Sequence, residues 1–374
     1  MRKNIPNDEQ LARVGITHGD INGIAYEIIM KALEDKRMLE ILTPVVFGLS
    51  KAASYHRKTI RQSDFNFNII RSLNQASPRK PNLIDIYKRE VKIELGKSTQ
   101  IAGEMSLSSL EAATEALVKN EIDVLVTAPI NKSNIQSNNF DFPGHTEYLA
   151  SKFNVQDYLM MMVCDSIRIG AITGHVPLKE VPALISGELI RQKVNIMHDS
   201  LLRDFSIQKP RIAVLSLNPH AGDNGLLGSE EKEVIIPAIN ESFEKGILVY
   251  GPYSADGFFG SLAYKNFDGV LGMYHDQTML PFKLLGFDNG VNFTAGLPYV
   301  RTSPAHGTAY NIAGKDQASP DSFRSAMYLA IDIYNNRLEY DQLTNDPLKA
   351  EEHVNNGNNK NPQEFQSNNK NQAN

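Results

Sequence analysis

Short runs of β-branched and apolar residues alternate with helical patterns along most of the chain, and that alternation restricts the fold more than any other feature. The runs Arg13–Thr17, Pro44–Gly48, Asp123–Thr127, Arg168–Thr173, Arg211–Leu217, Gly269–Met273 and Val291–Ala295 have the length of strands. Several are apolar almost throughout, as expected of strands covered on both faces in a parallel or mixed sheet. Between them apolar residues step by three and four. Leu107, Leu110, Ala113 and Leu117 make one stripe; Leu189, Ile190, Val194, Met197 and Leu201 make another. Ser319-Pro320-Asp321 offers a helix start ahead of a third stripe, Phe323, Met327, Ala330 and Ile331. Strand alternating with helix over about 330 residues predicts an α/β fold with two sheet domains.

Composition narrows what such a fold does. With 22% charged and 41% hydrophobic residues, the chain has the balance of a globular enzyme, not of a disordered or fibrous protein. A formal net charge of -5 with no basic cluster in the ordered part argues against nucleic acid as a partner. No stretch approaches the ~20 apolar residues that span a bilayer, and the polar start lacks a signal-like apolar segment, so a cytoplasmic protein without membrane contact is expected. Cys164 is the lone thiol, so no intrachain disulfide can form; in Met160-Met161-Met162-Val163-Cys164 it reads as a core residue. Residues 344–374 are polar and Asn-rich, predicting a disordered tail that buries too little apolar surface to order itself.

Of the nine histidines, His18, His145, His175, His220, His275 and His306 lie in or beside turns rich in Gly, Pro or Asn. Ligands of open α/β sheets bind where such turns follow strands. His175, His220 and His275 each come directly after an apolar run, at Ile172-Thr173-Gly174-His175, Leu217-Asn218-Pro219-His220 and Met273-Tyr274-His275-Asp276. Neighbouring strand ends would let the three converge on one divalent ion and leave positions open for substrate. Each could equally hydrogen-bond within its own loop.

Other polar residues suggest anion binding. Thr17-His18-Gly19-Asp20-Ile21-Asn22-Gly23 precedes a helix starting near Ile24, whose free N–H groups could receive an anion or simply form a tight turn. Lys283, Asn292 and Arg301 flank apolar segments; a lysine point charge with an arginine fork suits phosphate or carboxylate, although an exposed rim charge gives the same pattern. Ser303-Pro304-Ala305-His306-Gly307-Thr308-Ala309 through Lys315 is too small and polar for core packing and permits close backbone approach to a flat nucleotide.

That last run resembles the cofactor loop of the isocitrate/isopropylmalate dehydrogenase superfamily. Val126-Thr127-Ala128-Pro129-Ile130-Asn131-Lys132, Phe142-Pro143-Gly144-His145-Thr146-Glu147, Leu217-Asn218-Pro219-His220-Ala221-Gly222-Asp223, Gly228-Ser229-Glu230-Glu231, Gly251-Pro252-Tyr253-Ser254-Ala255-Asp256 and Tyr274-His275-Asp276-Gln277 resemble, more narrowly, the 4-hydroxythreonine-4-phosphate dehydrogenase family. The likeness runs in order over residues 12 to 335. It implies two α/β/α sandwich domains with a cleft between them: residues 1–132 plus 281–343 with the cofactor loop, and 133–280 with the metal site and dimerisation surface. It implies a homodimer with shared active sites. A divalent metal, zinc ahead of magnesium or cobalt, would be held by His175, His220 and His275. Substrate contacts would fall to His145, Thr146, Lys283, Asn292 and Arg301, and NAD or NADP contacts to His306, Gly307 and Thr308.

The implied reaction is NAD(P)-dependent oxidation and decarboxylation of 4-phosphooxy-L-threonine to 3-amino-2-oxopropyl phosphate, on the route to pyridoxal and pyridoxine 5'-phosphate (vitamin B6). Asp256 and Asp276 are candidate catalytic acids that could bind the substrate amino group or relay a proton; shaping their own turns is the other option. A paralogous dehydrogenase of a phosphorylated sugar acid, 4-phospho-threonate or 4-phospho-erythronate, is the nearest alternative. A metal-stabilised binding protein without catalysis is a more distant one. The turn from Thr17 to Glu27 departs from the family's Gly-Asp-Pro-Ala-Gly-Ile-Gly-Pro-Glu pattern, which leaves its part in ligand preference open.

Overall fold

A computed structural model describes residues 11–60, 64–87, 90–136 and 140–345. The expected tail lies outside the described residues except for 344 and 345, which end the helix Asp321–Asn345. Twelve strands form one sheet: β1 Ala12–Thr17, β2 Leu42–Gly48, β3 Asn68–Ile70, β4 Asn82–Asp85, β5 Val124–Thr127, β6 Leu159–Cys164, β7 Ile167–Ala171, β8 Ile212–Leu215, β9 Val249–Tyr253, β10 Gly269–Gly272, β11 Val291–Ala295 and β12 Val300–Pro304. Their order is β3-β4-β2-β1-β5-β12-β11-β6-β7-β10-β8-β9.

Two parallel blocks share this sheet. β3, β4, β2, β1, β5 and β12 pair in parallel, as do β7, β10, β8 and β9. Between them, β11 is antiparallel to both β12 and β6, and β6 is antiparallel to β7. The two sheet domains expected from the sequence are thus hydrogen-bonded into one sheet through β11 and β6. All seven expected strands occur, with ends adjusted by a few residues. β3, β4, β6, β9 and β12 were not foreseen.

Alternation along each strand sorts side chains into opposite faces. Val14, Ile16, Val46, Val124 and Val126 join one buried cluster, whereas Val45, Phe47 and Leu125 join another across the sheet. In the second block Val214 and Leu271 share the first cluster, while Ala213, Leu215, Ile169 and Val270 form a third. Helices Gly187–Arg203 and Asp321–Asn345 cover the first face with Ile190, Val194, Met197 and Leu201 and with Phe323, Met327 and Ala330. Helix Gln100–Val118 places Leu107, Leu110 and Ala113 on the other face. Each such large apolar side chain, fully buried, contributes about 1.5–3 kcal/mol.

Cys164 is buried as expected, and its sulfur would stand 2.6 Å from a Cβ at Gly286, so only glycine lets helix His275–Gly286 lie so close. No helix among the described residues is long and apolar enough to cross a membrane.

Candidate active site

A cleft of about 290 Å³ opens over the middle of the sheet, floored by neighbouring strands. Thr127 ends β5, Arg301 lies in β12, Asn292 in β11, and Met160 and Met162 in β6. Because β12 alternates, Arg301 and Ser303 line the cleft while Thr302 turns away to hydrogen-bond Ala326 O at 2.7 Å.

Arg301 is 2% exposed and donates only to neutral acceptors: to Thr127 Oγ1 from Nε and Nη2 at 3.1 and 2.7 Å, and to Asn292 Oδ1 and Thr294 Oγ1 from Nη1 at 3.3 and 3.5 Å. Burial brings its pKa down to about 10, opposed only by the more distant Glu147. A buried cation without a bonded carboxylate is costly to keep, so this guanidinium is prepared for an anion.

His145 and Thr146 enter at the start of helix His145–Lys152, and Lys283 comes from helix His275–Gly286. With Asn292 and Arg301 they all line the cleft, so the five expected substrate residues, scattered over more than 150 positions of sequence, meet in one place. Burial, Arg301 and Lys132 together hold His145 well below the usual histidine pKa, and its Nε2 is buried without a partner. It is a neutral imidazole with an unused polar atom. Two charged lining residues carry no role in the sequence analysis: Lys132, and Glu147, the single carboxylate among the described lining residues. Both sit in the Thr-Ala-Pro-Ile-Asn-Lys and His-Thr-Glu motifs, which was the available signal.

His175 and His275 stand together at the cleft wall, ring centroids 5.4 Å apart. They follow β7 and β10, which are hydrogen-bonded neighbours. His275 Nδ1 contacts Asp276 Oδ1 at 2.7 Å, and His175 Nδ1 lies 3.7 Å from Glu147 Oε1. The carboxylate at His275 Nδ1 is within hydrogen-bond distance, the contact that orients a metal-binding histidine, while Glu147 is a nearby counter-charge to His175. This pair fits part of a divalent-metal site.

His220 follows β8, the other neighbour of β10, but is not among the residues lining the cleft. Among the described residues, no group of three His, Cys, Asp or Glu side chains is gathered for a metal within one chain. His220 instead lies near enough to Asp256 to help lower its carboxyl pKa, after the hydrogen bonds from Ser254 and Gly257. Asp256 and Asp276 both remain outside the cleft lining, and Asp276 reaches it only through His275.

The segment Pro219–Gly225 carries His220 in a left-handed turn. His220, Ala221, Gly222, Asp223 and Asn224 have φ of 52, 53, 77, 43 and 56°. Non-glycine residues there cost about 1–2 kcal/mol each, so surrounding contacts must hold the turn.

Of the expected cofactor residues, His306 and Gly307 line the cleft. Thr308 faces the first turn instead: its carbonyl accepts from Ile24 N at 3.1 Å and would be 2.7 Å from a Cβ on Gly23. That turn cannot receive an anion. Its Asn22 and Gly23 N–H groups are already bonded to Asp20 Oδ1 and Asp20 O at 2.8 and 3.2 Å, and residues 14–30 are all buried. Buried Asp20 also accepts from Tyr310 Oη at 2.7 Å and Asn134 Nδ2 at 2.8 Å. The divergent turn therefore serves as the footing of the 306–315 loop.

The three-layer α/β fold thus holds a cleft that gathers cations and paired histidines, a setting suited to small anionic ligands. The profile described as "Pyridoxal phosphate biosynthetic protein PdxA" matches residues 40–330, and the chain belongs to that family. It is 51% identical to a 4-hydroxythreonine-4-phosphate dehydrogenase of Bacteroides thetaiotaomicron, over 92% of this chain and 94% of that one. A relative of the same name from Sulfurihydrogenibium is 41% identical over 86% of this chain and 98% of its own. The crystal structure of 4-hydroxythreonine-4-phosphate dehydrogenase from Klebsiella pneumoniae superposes with a TM-score of 0.73 at 32% identity, covering 86% of this chain and 99% of that one.

Proposed function

We propose that this chain catalyses the NAD(P)-dependent oxidation and decarboxylation of 4-phosphooxy-L-threonine to 3-amino-2-oxopropyl phosphate, the activity that its relatives' names suggest. The observation that carries this reading is the uncompensated guanidinium of Arg301 at the floor of a cleft also lined by Lys283 and Lys132. A phosphate of about −1.5 to −2 charge and a carboxylate together need that many cations. Glu147 offers the substrate ammonium a counter-charge, which a phosphorylated sugar acid would not use.

The overall reaction oxidises the C3 hydroxyl to a ketone, with loss of a hydride from C3 and of the hydroxyl proton, giving a β-keto acid; a bound nicotinamide would be the hydride acceptor. Loss of CO2 then leaves a carbanion at C2 that takes a proton. His145, kept neutral, is placed to accept a hydrogen bond or proton from the substrate. Arg301 and Lys283 fix the anionic ends, so the reacting carbon is held by its charged neighbours. His306 and Gly307, which line the cleft, would hold the nicotinamide end of the cofactor. His175, His275 and His220 would hold a divalent ion, zinc being our first choice, which would supply Lewis-acid stabilisation of developing negative charge.

One chain gathers only two of those three donors, so we assign His220 to the cleft of a second copy in a homodimer. Exposed apolar side chains flank both histidine-bearing segments: Leu280, Leu284 and Phe287 follow His275, at 63, 79 and 66% exposure, and Leu226 follows His220 at 79%. Exposed large apolar side chains beside both segments support burial against a partner. The division into residues 1–132 plus 281–343 and 133–280 belongs to the same proposal. The test is stoichiometry: one reduced nicotinamide and one CO2 per 4-phosphooxy-L-threonine consumed. Reduced cofactor without CO2 would remove the decarboxylation from the proposal.

A further inference from the structure

We infer that Glu231 is the positioning residue for His220, an inference that rests on the metal assignment just proposed. Glu231 is 2% exposed, and backbone and amide N–H groups compensate its carboxylate. Oε1 accepts from Leu217 N at 2.8 Å and Asn218 N at 2.7 Å, and Oε2 accepts from Asn218 Nδ2 at 2.9 Å. The second Asn218 amide contact goes to Glu230 Oε2 at 2.7 Å. The root of the left-handed turn is thereby clamped two residues before His220.

The same carboxylate also touches the middle of the turn. A Cβ on Gly222 would meet Glu231 Oε2 at 2.7 Å, at a φ of +77° that already favours glycine. On its other side the root is tied to the strand that leads to His275: Gln277 Nε2 donates to Ser216 O at 2.7 Å while its Oε1 accepts from Met273 N at 2.6 Å. His220 itself is exposed. Its placement is set by the clamp beneath it, not by packing around its ring.

The experiment compares the parent with Glu231→Gln, Gly222→Ala and His220→Ala. Amide hydrogen exchange of residues 217–225 is measured in the metal-free protein, and Co2+ affinity by competition with a chelator. Glu231→Gln changes one acceptor oxygen to a donor, and Gly222→Ala pushes the carboxylate away from the turn. Both should speed exchange across 217–225 and weaken Co2+ binding about 10- to 100-fold, the usual loss when an outer-shell partner is removed. Exchange elsewhere in the sheet should stay at parental rates, which a general loss of structure would not allow. If Glu231→Gln fails to fold, Gly222→Ala carries the same test. Parental Co2+ affinity in both variants, with His220→Ala impaired, overturns the role of Glu231 and leaves the metal assignment standing. Parental affinity in His220→Ala overturns the metal assignment and this inference with it, while faster exchange in Glu231→Gln would still show a clamp on the turn.

Discussion

Arg301 concentrates the chemistry of the cleft in one side chain. Its planar fork sits where a lysine would present a point charge, and its neighbours offer only neutral oxygens. Arg301→Lys should lower kcat/KM about 10- to 100-fold, the range expected from losing a charge-assisted hydrogen bond of about 1.5–3 kcal/mol. Steady-state rates over a range of substrate concentrations check this; unchanged kinetics would show that the anion binds elsewhere. His18 gives a second prediction at this scale. It is fully buried, stacked on Tyr26 at 5.6 Å with neither ring nitrogen bonded, and burial lowers its pKa to about 4. Above the unfolded value near 6.5 both states are neutral and stability is unaffected. As pH falls from there to about 4, only the unfolded chain takes the proton, so about 3 kcal/mol of stability is lost. Urea unfolding at pH 7 and pH 4 should show this loss, and His18→Phe, which keeps the stack, should reduce it. Cations beside apolar runs were legible in sequence because they break a pattern. Glu147 and Lys132 were not, since a charge in a helix's first turn or on a loop looks the same whether it faces water or a cleft.

At the scale of elements, the strands that escaped the sequence reading are the ones with mixed duties. β12 carries Arg301 in place of an apolar residue, and β9 contains Gly251 and Pro252, both poor strand formers. β6 is a methionine-rich run that first reads only as core. The left-handed turn at His220 was equally hidden, because Pro-His-Ala-Gly-Asp-Asn-Gly specifies a turn without specifying its hand. The loop from His306 was legible by its small residues, and it yields a clean test. Nothing lies within 4 Å of a Cβ at Gly307, which lines the cleft, so Gly307→Val adds bulk where a ligand would sit without disturbing the fold. Calorimetric titration should show NAD binding weakened at least about 10-fold with melting temperature and metal content unchanged, one buried methyl-sized clash being worth about 1–3 kcal/mol. Normal NAD affinity would place the cofactor away from this loop.

At the scale of the whole molecule, one chain supplies a cleft, its anion handles and two of the three expected histidines. The alternation of strand and helix predicted the layers, and adjacent strands do deliver the segments bearing His175, His275 and His220. A single chain's sequence does not say which face a second copy would cover. If a second copy completes the site, Leu284→Lys should shift sedimentation toward monomer and lower Co2+ affinity together, because an unpaired charge at a buried interface is poorly tolerated. A dimer that persists with full metal affinity would move the interface elsewhere. The anion-binding cleft is tested most directly by reduced-nicotinamide formation with 4-phosphooxy-L-threonine, its dephosphorylated form and 4-phospho-D-threonate, each with metal and cofactor present. The prediction is rapid turnover of the first, at least about 100-fold lower kcat/KM for the second, as loss of two charge-assisted bonds requires, and an intermediate or low rate for the third. Equal turnover of the phosphorylated and dephosphorylated substrates would contradict the anion-binding cleft, and preference for 4-phospho-D-threonate would assign this chain to the sugar-acid branch of the reaction.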